Sequence, residues 1–436
     1  MTTRGGAPAT GRRRPGTAER VAEPARIAAR LEELWTIARG PEGGADRPAY
    51  SPAEAEAMRR VAGWAAELGL DPRIDRFGNL WALPTGWEGP VVTAGSHVDT
   101  VPDGGRYDGA LGTVLGLEVV ADLQAAGDDG AQARGGLLVC AAEEAPRFGA
   151  GTVGSRLLTG ALPESDLATL HDADGVSGAE ARERYLAELA DLPRLDDPPR
   201  GRLRAHGEVH VALRFGPAEL GIVTRVASPR RLEVRLAGES GHAGEVAMSQ
   251  RRDALAGAAE VVLAVERAAV AQPAATVATV GTLRVVPGAV SVIPGEARLG
   301  IDMRAVEAAS LDAVERNVRE AVAEIARVRG LTAQVELTRA GSPVALDASL
   351  VHDALQAAAD RAIAAGETWS GAGHDAQHIA ALAPSLLVFV PLHDGQSHTP
   401  QEGAAMDEIL QAAEVVGSVL AARAGAGSPV PAMPDE

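Results

Sequence analysis

Cysteine is almost missing from this chain. The one residue present, Cys140, excludes an intrachain disulfide and every zinc site built on several thiolates. It sits in the apolar run Leu137-Leu138-Val139-Cys140, the setting of a buried structural thiol rather than a reactive one. Aromatic residues make up only 3% of the sequence. No apolar run approaches the ~18 residues of a membrane span. Residues 1–20, rich in Arg, Gly, Ala, Pro and Thr, contain nothing like the apolar core of a signal peptide. A cytoplasmic location is therefore expected. Positive charge is also short: 41 basic against 59 acidic residues give a formal net charge of −18. A chain this acidic is a poor electrostatic match for nucleic acid or an anionic membrane, and neither is expected as a partner.

What is there is a chain of 436 residues, long enough that two domains are expected. Hydrophobic residues at 46% and charged residues at 23% are ordinary for a globular protein. Residues 1–20 and 424–436 read as disordered arms. Ile27, Leu31, Leu34 and Ile37 give residues 25–38 the spacing of a helix. Ser51-Pro52-Ala53-Glu54 opens a second helix, to about residue 68, with serine as N-cap, proline in the first turn and glutamate in the capping-box position. Arg76 to Trp81 reads as a turn between strands. Short apolar strands are expected at 91–94 and 137–142, with a helix over 110–126 between them. Polar residues follow each strand directly, which is where open α/β sheets place ligand sites.

From about residue 221 the pattern changes. Strands are expected at 222–226, 232–236, 277–286, 297–303 and 332–337, with helices at 251–270 and 310–328. With the first strand set aside, the order is β-α-β-β-α-β, the split βαβ arrangement. A helix at 348–365, a strand at 386–390 and a closing helix to about 422 return to α/β material. The expected organisation is a larger α/β domain over 21–220 and 339–423, interrupted by a smaller unit over 221–338.

Five places in the larger domain concentrate His, Asp and Glu at strand ends or loops. In His97-Val98-Asp99, the aspartate either faces the same way as the histidine or follows it around a turn to accept its second ring N–H. That contact would fix the tautomer of a metal-bound imidazole; the alternative is a solvated surface loop. Glycines around Asp108 in Gly104-Gly105-Arg106-Tyr107-Asp108-Gly109 let the backbone bring a carboxylate close to a ligand, or form an ordinary Asp-Gly turn. Glu143-Glu144 ends an apolar strand, so one carboxylate can hold a cation while the other handles protons; alternatively both are solvated. Gly371-Ala372-Gly373-His374-Asp375 and Ser397-His398-Thr399 complete the set.

Together these segments resemble the signature of the hydantoinase/carbamoylase amidases. That family includes N-carbamoyl-L-amino acid hydrolases, β-ureidopropionases and allantoate amidohydrolases, and is related to zinc aminoacylases and carboxypeptidases. The resemblance runs in family order from about residue 25 to 422. It takes in the residues from Gly95 to Gly112, Glu143 to Gly149, Gly154-Ser155-Arg156, Gly241-His242-Ala243-Gly244, Pro287 to Glu296, Asp302-Met303-Arg304, Ser370 to Ala376 and Ser397-His398. It implies a di-metal aminopeptidase-like α/β catalytic domain with an inserted ferredoxin-like α+β domain that acts as lid and dimerises. It further implies one or two divalent ions per chain, zinc or manganese. Asp108 would bridge them, His97 would hold one, and Glu144 and His398 the other. Glu143 would be the general acid/base. His242 would reach toward the partner's active site in a homodimer. Arg304 would grip the substrate carboxylate with its forked guanidinium. The implied activity is hydrolysis of a non-peptide C–N bond in a small carboxylate-bearing substrate.

The sequence departs from the family between residues 210 and 217. The family has His-Ile-Glu-Gln-Gly-Pro there, and its histidine is the remaining ligand of the first metal. Aligned on Gly216-Pro217, this chain has Ala212 at that ligand position, Arg214 at the glutamate and Phe215 at the substrate-side glutamine. His210 lies two residues earlier, ~6.5 Å along a strand, and stands as an additional ligand candidate. Ser291 replaces a usual asparagine, and Gly373 and His374 fall at substrate-side positions. On this alignment the first metal site is weakened or empty unless His210 moves in. Three readings follow: an amidase acting on an altered substrate, a one-metal or metal-poor enzyme with altered chemistry in a specialised biosynthetic pathway, and a non-catalytic binding protein.

Overall fold

The computed structural model describes residues 23–126, 132–212, 220–393 and 395–425. The expected arm at 1–20 lies outside these residues, as do Arg214, Phe215, Gly216 and Pro217. The closing helix, Met406–Gly425, runs through residues 424 and 425, which the sequence reading assigned to the disordered tail. No helix among the described residues is long and apolar enough to cross a membrane.

The larger domain is built on a ten-stranded mixed sheet. Its centre is four parallel strands, in the order Ser385–Pro391, Leu203–Ala212, Val91–Ala94 and Arg134–Val139. Val91–Ala94 and Ser385–Pro391 are buried along their whole length, as strands covered on both faces must be. The hairpin Leu70–Asp75/Leu80–Pro84 extends one side, its turn tied by the Asp75 carboxylate to the backbone N–H groups of Phe77 and Asn79. The helix Ala110–Ala125 is apolar around most of its circumference and is buried between the sheet and the helices Pro24–Thr36 and Met406–Gly425. Each fully buried Leu or Val in this layer contributes roughly 1.5–3 kcal/mol of burial.

The inserted unit is a four-stranded antiparallel sheet in the order Thr276–Val286, Glu296–Ala305, Arg230–Ala237, Thr332–Ala340. The helices Ala254–Val270 and Ala308–Arg329 pack on one face, over a core that includes Leu232, Val234, Leu299, Ile301 and Val318. This is the expected ferredoxin-like β-α-β-β-α-β unit. Its first edge differs from the expected boundary at 221, because the strand Leu220–Val226 belongs to the large sheet. There it pairs with Ser385–Pro391, Val344–Ala345 and Ala365–Ser370. The helix expected to reach residue 365 stops at Ala359, and that last strand begins at Ala365.

Two local expectations change where they touch the site. Ser51 does cap its helix, accepting from the N–H of Glu54, but Glu54 does not close a capping box. Its carboxylate accepts instead from the N–H groups of Tyr50 and Ala142. The strand expected at 137–142 ends at Val139, and Ala142 turns into the left-handed region at φ 55°. Glu143 and Glu144 therefore leave the sheet on a turn rather than alternating across a strand.

Candidate metal centre and substrate cavity

The centre lies where the parallel strands end, as the open-sheet rule expects. His97 follows Val91–Ala94, Glu143 and Glu144 follow Arg134–Val139, and His210 stands near the end of Leu203–Ala212. His398 arrives from the loop after Ser385–Pro391, with its backbone at φ 59°. A non-glycine residue held in the left-handed region is strained by roughly 1–3 kcal/mol, a cost commonly tolerated at functional sites.

Asp108 sits in the middle and divides its two oxygens between two sets of donors. Its Oδ1 is 3.1 Å from His210 Nε2 and 3.6 Å from His97 Nε2. Its Oδ2 is 3.0 Å from His398 Nε2, which in turn lies 3.7 Å from Glu144 Oε1. The ligand atoms of His97, Asp108 and His210 lie within 4.8 Å of one another, and so do those of Asp108, Glu144 and His398. His97 Nδ1 lies 3.2 Å from the carbonyl of Asp99, and His210 Nδ1 lies 3.2 Å from that of Val211. A carbonyl only accepts, so each Nδ1 carries a proton and each Nε2 points inward as the nitrogen a metal would take in place of a proton. The two Nε2 atoms face each other at 3.4 Å. Lone pairs and carboxylate oxygens converging in this way are the donor set that divalent zinc or manganese takes.

Electrostatics agree with that fit. Burial by itself would raise the Asp108 carboxyl, yet His210, His398 and His97 hold it well below the usual range. Burial, reinforced by Asp108, pushes Glu144 up to about 7. Burial also lifts Glu143 well above the carboxylate range, with His97 opposing and Glu144 adding to the rise. The hydrogen bond to Asp108 raises His398 to about 9. The negative field that holds protons on these histidines is the field that draws a cation.

The groups behind the ligands are fixed in turn. Asp99 accepts from the N–H of Glu143 at 3.1 Å and of Glu144 at 2.9 Å, and its Oδ1 lies 3.4 Å from His97 Nδ1. One buried carboxylate thus orients the histidine and the turn that carries both glutamates. Gly109, at φ 63°, backs onto the His97 ring, where a Cβ would come within 2.3 Å of a ring atom. The glycine expected to let Asp108 approach is therefore required at that contact. Glu143 Oε2 is 3.7 Å from His97 Nε2, beside the centre without belonging to either ligand set.

Of the segment at 210–217, residues 210–212 are described. His210 Nε2 comes together with His97 and Asp108, so these three form one group that could hold a metal ion. No register slip is needed, because the strand runs unbroken through His210 in pairing with Ser385–Pro391. A further group, Glu208, His210 and His374, also comes together. Glu208, however, already accepts from Ser96 Oγ and the N–H of Ala376, and His374 Nε2 bonds Ser370 Oγ.

Two cavities open on the centre. One of about 210 Å³ is bounded by Asp108, Glu143, Glu144, His210 and His398 on one side and by Arg231, Arg304 and Arg339 of the insert on the other; Gly373 and His374 line it too. The second, of about 530 Å³, continues past Arg304, Phe389 and Trp369. Arg304 Nε donates to Asp302 and Nη1 to the carbonyl of Gly371, so this side chain ties the insert to the catalytic domain at the cavity. His242 and Ser291 are not brought there. They lie near each other on the exposed ribbon where Gly241–His242 pairs with Val292–Ile293, away from the lining of both cavities.

Sequence reasoning missed Glu402, which accepts from the N–H groups of Tyr107 and Asp108 and from Ser397 Oγ, and so holds the Asp108 loop against the His398 loop. It also missed Glu54, Glu208, Arg231 and Arg339. Only Glu402 carried a visible hint, four residues after His398 in a polar loop.

The profile of the peptidase family M20/M25/M40 matches residues 93–422. The chain belongs to that family. Its similarity lies with the hydantoinase/carbamoylase-type amidases. An N-carbamoyl-L-amino-acid amidohydrolase of Pseudomonas sp. (strain NS671) is 33% identical over 90% of this chain and 96% of its own length. A ureidoglycolate hydrolase of Arabidopsis thaliana is 31% identical over 90% of this chain and 84% of its own. The crystal structure of a hydantoinase/carbamoylase family amidase from Burkholderia multivorans superposes with a TM-score of 0.80, at 32% identity, covering 93% of this chain and 98% of that one. This M20 amidase is a metal-dependent hydrolase acting on C–N bonds other than peptide bonds.

Proposed function

We propose that this enzyme hydrolyses an N-carbamoyl, ureido or N-acyl bond in a small amino-acid-like substrate that bears a carboxylate. The observation that carries the reading is the division of Asp108 between two donor sets with Glu143 beside them. His97, Asp108 and His210 would hold one divalent ion, and Asp108, Glu144 and His398 another. When bound, such ions polarise a carbonyl and lower the pKa of water. Glu143 takes the proton from the attacking water as its oxygen adds to the carbonyl carbon. It then delivers that proton to the nitrogen as the C–N bond breaks, so the amine leaves neutral. Burial and the neighbouring Glu144 raise its proton affinity, which suits a group that must both accept and return a proton. Arg304 receives the substrate carboxylate on its guanidinium fork. Asp99 orients His97 and the Glu143–Glu144 turn. Gly373 and His374 line the substrate side.

The enzyme is further proposed to act as a cytoplasmic homodimer through its insert, with His242 and Ser291 reaching the neighbouring site. Their exposure and distance from their own cavity support that role. Two measurements test the reading. Metal analysis after gentle dialysis gives about two ions per chain, and His210→Ala about one. The metal-loaded protein releases free amine from a panel of N-carbamoyl- and N-acyl-L-amino acids. Failure to hydrolyse either class overturns the assignment, and a monomer by light scattering at micromolar concentration removes the role of His242.

A further inference from the structure

The wall of the cavity opposite the metal ligands belongs to the insert, and its charge is out of balance. Arg231, Arg304 and Arg339 all line it. Among the described residues Asp302 is the one carboxylate paired with them: its Oδ2 accepts from Arg231 and its Oδ1 from Arg304, each at 2.9 Å. Arg339 has no ion pair or hydrogen bond to a described residue. This excess of cations occurs in a chain whose formal net charge is −18.

The backbone arranges this on purpose-like terms that local stability does not explain. Arg339 and Arg231 stand directly opposite each other on neighbouring antiparallel strands. Like charges in that position repel, and a sheet gains nothing from them. Regular pairing from Leu337↔Leu232 would set Thr338 opposite Arg231; instead the register shifts between Leu337 and Arg339, and the arginine takes the place. Bulges of this kind re-aim a side chain. Burial, with Arg156, Arg231 and Arg304 nearby, brings Arg339 down to about 10. Burial, with Arg156 and Arg339 adding to it, presses His378 down to about 3.

We propose that Arg339 and Arg231 form a second anion subsite beside Arg304, and that the natural substrate is an N-carbamoyl or N-acyl amino acid with a second carboxylate on its side chain. The inference rests on the amidohydrolase reading for the scissile bond. Arg304 takes the α-carboxylate, and the side-chain carboxylate lies between the two facing guanidiniums, where it cancels their repulsion. Two forks on one carboxylate give charge-assisted hydrogen bonds, the strongest polar contacts available to such a ligand.

The test compares N-carbamoyl-L-aspartate and N-carbamoyl-L-glutamate with N-carbamoyl-L-alanine and N-carbamoyl-L-norvaline on the metal-loaded enzyme. The expected ratio of kcat/KM, diacid over monoacid, is on the order of 10–100. Arg339→Gln lowers that ratio about tenfold, and Arg339→Lys restores part of it. The melting temperature of Arg339→Gln stays level or rises, since a like-charge pair is relieved; a structural arginine would lower it. A ratio near one in the unmodified enzyme, or an equal fall for both substrate classes in Arg339→Gln, overturns the proposal. Calorimetric binding of glutarate against valerate is read alongside, because it needs no turnover. Tighter glutarate binding that Arg339→Gln abolishes supports the subsite even if no ureido or acyl compound is hydrolysed, in which case only the amidohydrolase reading fails. Equal binding of the two acids overturns the subsite.

Discussion

On the catalytic side of the cavity the charged groups, His398 excepted, are buried and held by further hydrogen bonds; on the insert's side they are partly exposed and incompletely neutralised. Asp108 is 5% exposed and His97 fully buried, whereas the Arg231 and Arg304 side chains keep 39% and 32% of their surface. Behind each ligand stands another fixed group: Asp99 behind His97 and the glutamate turn, Glu402 behind Asp108, Gly109 behind the His97 ring. Behind the arginines, among the described residues, stand the Asp302 carboxylate and, for Arg304, the carbonyl of Gly371. The difference follows from what each side must bind. A metal tolerates little displacement of its ligands, so the catalytic domain sets them on the ends of fully buried parallel strands. A carboxylate is met by flexible guanidiniums, which adapt on a sheet face that is left open.

The largest expected break in this comparison is Glu143→Ala. Losing the proton carrier lowers kcat by roughly 10²–10⁴. Metal content and melting temperature stay near those of the unmodified protein, because Glu143 belongs to neither donor set. Steady-state kinetics with metal analysis checks this, and near-normal turnover removes the residue from its role. Next in size is Asp99→Asn, which keeps the side-chain volume but loses the charge behind His97 and the Glu143–Glu144 turn. Metal affinity or activity falls about 10–100-fold. A chelator competition assay reads the affinity, and an unchanged value would mean that the backbone alone orients these groups. The smallest is Arg304→Lys on the insert's side. It keeps the positive charge and loses the planar fork, so KM rises about tenfold while kcat moves little. A fall in kcat with KM unchanged would move Arg304 from carboxylate binding to the reacting centre.

The sequence was legible where local chemistry repeats or punctuates. The helices read over residues 25–38 and 310–328, the strand read over 297–303, and the proline after Ser51 lead directly to observed elements. Asp108 with its glycines, and the paired glutamates after an apolar run, also announce themselves. The segment at 210–217 is hard to read in sequence because two anchors compete. Gly216-Pro217 offers one alignment and the strand another, and it is the strand paired with Ser385–Pro391 that carries His210 to the centre.

Composition, charge and motif order by themselves determined that this is an acidic, two-part α/β chain with an inserted β-α-β-β-α-β unit and the carboxylates and histidines of an M20 metal centre. They could do so because period, turn chemistry and motif spacing are properties of neighbouring residues. Tertiary structure alone decided that Asp108 serves two donor sets, that His210 completes the first, and that Glu402 and Glu54 brace loops far from them in sequence. It also decided that Arg339 meets Arg231, through a shift of register after Leu337. Each of these depends on long-range pairing across the sheet, where a change of one residue turns a side chain to the other face.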